Sequence, residues 1–123
     1  MLTRIEKEMA AAAARSGQHV AVGLQGANAV AVRHAAKLVR DGAIGRLLNL
    51  RVVSSTAGWG TLAPPHYAYL QDRSNGATLA TIAGGHTLAA VEAVVGAYRE
   101  VAARCSILQD TVATAWSGEK VPR

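Results

Sequence analysis

His86 follows Gly84 and Gly85 and leads the nearly unbroken apolar run Thr87 to Val95. Two glycines remove side chains where the chain turns into a helix. Backbone can then approach a ligand closely, and the helix N-terminus favours negative charge. An imidazole at that mouth can donate to a polar group or take a proton from one, which is the equipment of a general acid or base. The position suits equally a histidine that caps or packs, and spacing alone leaves the two readings open. The other histidines stand in plainer contexts: His19 opens an extended run, His34 sits among charged helix residues, and His66 lies in a loop. None pairs with Asp, Glu or Cys at ligand spacing, so no metal site is expected.

Other chemical signatures are absent. The lone Cys105 excludes an internal disulfide and a cysteine-based zinc site. Its place in the run "EVAARCSIL" predicts a buried strand thiol rather than a nucleophile. There is no P-loop, no G-x-S-x-G and no G-x-G-x-x-G. The run "GLQGAN" lacks the third glycine and a suitably placed acid, so no cofactor-binding residue is expected in this chain.

The elements that must position His86 follow from periodicity. Thr3 to Arg15 reads as a helix, capped by Thr3 with Glu6 completing a capping box and closed at Ser16-Gly17. "HVAVGLQG" reads as a short buried strand. Asn28 to Asp41 reads as a second helix, with Val30, Ala31, Ala35, Leu38 and Val39 as its apolar face and Gly42 as its stop. "LLNLRVVSST" alternates as a strand should. The segment "AGWGTLAPPHYAYLQDRSNGA" carries turn chemistry throughout, and a loop of that length usually carries function or a partner contact. A third helix is expected from Gly85 to Val95 with Gly96 as stop. "YREVAARCSILQ" follows as a third strand, with Val101, Ala103, Cys105 and Ile107 on one face. "DTVATAWSGEKVPR" ends the chain as a short extended piece and a turn. This order implies an α/β (α+β) fold, with helices packed on one face of an open, mainly β sheet. Three strands make a poor independent sheet, and its edges would be exposed.

Composition narrows the function classes. The chain has 123 residues, half of them hydrophobic, which suits one small domain or a piece of a larger one. Only 4% are aromatic, so each core side chain buries little area and modest stability is expected without a partner surface. The net charge of +5 is spread over scattered residues interleaved with acids, which is a solvated surface rather than a nucleic-acid footprint. No run approaches the ~20 apolar residues a membrane span needs. The alanine run near the N-terminus is a helix and not a secretory signal, so a cytoplasmic location is expected.

Several fragments, in order, resemble one family: strand-"GLQG", then "LVRDGAIG", then "AGWG", then "GGHTL". Together they look like the Gfo/Idh/MocA oxidoreductases, in the branch of the yeast galactose-pathway repressor and its bacterial relatives. Members of that family have a Rossmann domain that binds NAD(P) and a second α/β domain, with an open sheet, that binds substrate and mediates oligomers. The resemblance implies that residues 1–26 are the end of a Rossmann domain, a helix plus a strand, and that residues 27–123 are a partial substrate-binding and oligomerisation domain. It makes His86 the candidate catalytic residue, facing nicotinamide and substrate. It places Gln25 and Asn28 where the chain passes the substrate pocket, and Trp59 and Tyr67 on the loop covering it. Trp59 could equally pack beside its glycines, and Tyr67 could anchor the loop. Ile82 stands where the redox enzymes commonly carry an aspartate, a departure shared with the repressor branch.

The expected function is therefore a truncated substrate-binding and oligomerisation part of an NAD(P)-dependent oxidoreductase, without cofactor or redox activity of its own. The alternatives are a small-molecule-binding regulatory or scaffold module, or a cofactor-independent acid/base enzyme using His86. A sugar or polyol ligand is implied by the family. A homo-oligomer or a Rossmann-bearing partner chain is expected to complete the assembly.

Overall fold

The computed structural model describes residues 4–122, and its elements gather into two packed groups. The first is helical: a 3-10 turn at Gln25–Asn28, helix α2 at Val30–Arg40 and helix α3 at Ala83–Val95 pack on one another. The second is a three-stranded sheet with its covering turns. Helix α1, Arg4–Ser16, precedes both, and from Lys7 onward its residues are exposed except for half-buried Ala13. Its alanine run forms helix by propensity rather than by packing. Gly17 closes it in the left-handed conformation, φ +64°, as expected for a helix stop. Thr3, the cap the sequence offers, lies outside the described residues.

Helix α2 falls where the periodicity puts it and ends at left-handed Gly42, φ +76°. Its inward face is displaced from the expected one. Val32, Ala35, Ala36 and Val39 are the covered residues, with Ala36 fully buried, while Val30, Ala31 and Leu38 are exposed. Small side chains at Ala35 and Ala36 let α3 approach closely. On the outer surface Lys37 and Asp41 form an i,i+4 ion pair, a contact worth a few tenths of a kcal/mol at most.

The sheet is built from the expected loop and the end of the chain. Strand β1, Leu62–Ala63, runs parallel to β2, Thr111–Thr114, and β2 pairs antiparallel with β3, Lys120–Pro122. The register sets Ala63 opposite Thr114 and Val112 opposite Val121. Alternation turns Val112 and Thr114 inward, where they join Ala63 and Gln71 as the buried residues of this group. The covering turns are 3-10 segments at Ala57–Trp59, Pro65–Gln71 and Arg73–Asn75. Short polar side chains fix them. Asp72 Oδ1 accepts from the Ser74 N–H at 2.8 Å, and Asn75 Nδ2 donates to the Tyr69 carbonyl at 3.1 Å.

Mixed α/β character is thus present, but the open sheet expected from the three alternating runs is not. No ladder joins 19–26, 47–56 and 98–109 among the described residues. Two of these runs are tied to α3 by side chains instead. Ser54 Oγ lies 3.0 Å from Thr87 Oγ1, and the Tyr98 hydroxyl donates to the Leu88 carbonyl at 2.9 Å. Alternation specifies that a segment has two faces, not that a partner strand is at hand. The apolar side chains of these runs are left open: Leu48 is 80% and Val101 62% exposed, which shows how little of them the chain covers. Cys105, expected as a buried thiol, is exposed for the same reason.

Candidate functional site

His86 is the fourth residue of α3 rather than its mouth. The helix begins at Ala83, two residues ahead of the expected start. The preceding turn feeds straight into it, so the Gly84 N–H donates to the Leu79 carbonyl at 2.8 Å and the His86 N–H to the Ile82 carbonyl at 3.0 Å. Those two donors are committed to backbone, and the anion-attracting mouth expected there does not form around them.

The imidazole is half-buried and packs against the backbone of the Gln25–Asn28 turn. A β-carbon built on Gly26 would lie 3.5 Å from Nδ1 of His86 and 4.0 Å from its Cβ. One residue earlier in the helix, Gly85 lets the Leu24 side chain approach, with Cδ2 3.8 Å from the corresponding β-carbon position. The two glycine-containing stretches therefore interlock. Gly26 stands against the ring and Gly85 against the leucine that anchors the turn, each at a distance that a β-carbon would fill in ordinary contact.

Beside this junction lies an open groove of about 580 Å³, lined by Val22, Gly23, Leu24, Gln25, Ala27 and Asn28 on one wall and by Ala89, Glu92 and Ala93 of α3 on the other. Gln25 and Asn28 are exposed, so their amides are accessible to a ligand. Ala89 and Ala93 follow His86 at i+3 and i+7, on the same helix face, and their small side chains create the hollow. Glu92 was not among the expected site residues. The signal for it was present, since an isolated carboxylate in an otherwise apolar helix is either a surface residue or a groove residue.

The structure thus brings Gln25, Asn28 and His86 to one junction. Trp59 and Tyr67 belong to the other packed group. The Trp59 indole donates to the Leu70 carbonyl at 3.2 Å, which ties the two ends of the loop together. Tyr67 is exposed and lies beside His66, the ring centroids 4.3 Å apart at 50°. The geometry gives Trp59 a bracing role within the loop. His19 and His34 are exposed, and no three His, Cys, Asp or Glu side chains group as a metal site among the described residues. No helix among them is long and apolar enough to cross a membrane.

A family model described as Gal80p, C-terminal domain, matches residues 31–113, and the chain belongs to that family, the C-terminal domain of Gfo/Idh/MocA-type proteins. The match takes in Trp59, Tyr67 and His86, whereas Gln25 and Asn28 lie just before it. Comparison with curated proteins gives no match, and comparison with solved structures gives none.

Proposed function

We propose that this chain is the substrate side of a Gfo/Idh/MocA-type protein, holding a small hydroxylated molecule of sugar or polyol type at the junction of the Gln25–Asn28 turn and α3. The observation that carries the reading is the groove. Two primary amides sit in walls otherwise built mostly from apolar side chains and backbone. An amide both donates and accepts, which suits a hydroxyl, and apolar walls suit the faces of a carbon ring. His86 is the adjoining group able to exchange a proton with such a ligand.

The same proposal leaves NAD(P), the cofactor of the family, to another domain or chain, because this sequence carries no G-x-G-x-x-G. A pyrophosphate needs glycine-rich backbone opening onto a free helix N-terminus. Cofactor binding is therefore assigned to a Rossmann-bearing partner or domain. Calorimetry with NAD(H) and NADP(H) tests this: no binding is expected from the 123 residues, and micromolar affinity for any of these forms would overturn it.

A second reading, a small-molecule-binding regulatory or scaffold module, is favoured by Ile82. That residue precedes His86 by four and carries no carboxylate. A sensor needs the groove without the acid. Turnover in the presence of a cofactor-bearing partner separates the two readings, because the sensor binds ligand without converting it.

The exposed apolar residues of 19–26, 47–56 and 98–109 support a further element of the proposal, a homo-oligomer or a complex with the Rossmann-bearing chain through that face. Large apolar side chains left exposed in such number are what an interface buries.

A further inference from the structure

Among the described residues lining the groove, Glu92 is the one ionisable side chain. A carboxylate accepts hydrogen bonds and offers none, so it meets a ligand's donors or its positive charge. Among the described residues no cationic side chain shares the lining to neutralise it. We propose that the groove selects its ligand by charge, with Glu92 receiving a protonated amine, so that the preferred occupant is a hydroxylated ring bearing an ammonium group and carboxylate-bearing analogues are turned away. This rests on the reading of the groove as a ligand site, and it names the class of ligand that site takes.

The lining supports the fit. Glu92 shares its wall with Ala89 and Ala93, whose methyl groups leave the hollow open, and Gln25 and Asn28 stand on the facing wall. One substituted ring then sets its amine toward Glu92 and its hydroxyls toward the two amides. The chain's net charge of +5 pulls the other way and draws anions from a distance. At physiological ionic strength that pull is screened beyond roughly 8 Å, and the carboxylate inside the groove decides.

The test uses three probes that share a ring and differ in charge: glucose, glucosamine and glucuronate, titrated by calorimetry at neutral pH into the wild-type chain and into Glu92→Gln. Glucosamine is expected to bind roughly tenfold more tightly than glucuronate, with glucose between them, because the ammonium forms one exposed charge pair with Glu92 and the glucuronate carboxylate is repelled by it. Glu92→Gln should bring the three within about twofold of one another. The variant keeps its fold, because Glu92 is exposed and its carbonyl still accepts from the Gly96 N–H. Equal binding of all three, or a ranking that survives Glu92→Gln, overturns the charge selection and leaves the groove reading intact. Binding of none of them overturns both.

Discussion

Gly26 and His86 meet so closely that a single methyl group on Gly26 would lie 3.5 Å from Nδ1 of the imidazole. That is ordinary van der Waals contact, and Gly26 is not among the left-handed glycines. Alanine therefore fits without backbone strain, and Gly26→Ala should change stability by no more than about 1 kcal/mol. It sets a methyl group against the ring nitrogen nonetheless. Sugar or polyol affinity should fall in Gly26→Ala and in His86→Ala alike, by roughly tenfold, and hold in His19→Ala and His34→Ala. In an assembly with a cofactor-bearing partner that turns ligand over, His86→Ala should lower the rate by about 10²–10⁴-fold. Unchanged affinity and rate in both junction variants would assign the ring to packing.

The open apolar face makes assembly testable. Leu48 contributes little to the monomer because it is 80% exposed. Leu48→Lys should leave the fold intact but shift the mass in light scattering toward the monomer and remove any concentration dependence of the melting point. A wild-type chain that melts cooperatively as a monomer at high micromolar concentration would contradict the interface.

Asp72 offers a pH test of the loop. The Ser74 hydroxyl, and after it the Ser74 N–H, hold its carboxylate below the ordinary aspartate value of 3.8. A depressed folded value means that the bond contributes stability above the unfolded value, and that the contribution is lost as pH falls through the folded one. An NMR titration should place the Asp72 midpoint below 3.8 in the wild type and raise it in Ser74→Ala, where only the backbone N–H remains. A midpoint that does not move in the variant would remove the hydroxyl from the account.

The helices were legible because helix signals are local. The alanine run, the stops at Gly17, Gly42 and Gly96, and the α2 periodicity all act within a few residues. The strands were not, because a strand is defined by its partner. The runs around Val22, Leu48 and Val101 alternate well yet form no ladder, while the short strand at Leu62–Ala63 pairs with Thr111–Thr114, far along the chain. At the site, the glycines beside His86 marked a close backbone approach. Sequence could not say that the approaching backbone would be Gly26 of this chain. The groove escaped notice because it is made by what Ala89 and Ala93 lack.

The central claim is that the junction of the Gln25–Asn28 turn with α3 is the ligand site. Amide and side-chain chemical shifts of the isotopically labelled chain, followed while glucose and glucosamine are added, test it most directly. The account predicts saturable shifts concentrated at Gln25, Gly26, Asn28, His86, Ala89 and Glu92, with Trp59 and Tyr67 unmoved. Saturable shifts centred on Trp59 and Tyr67, or none at the junction, would contradict it.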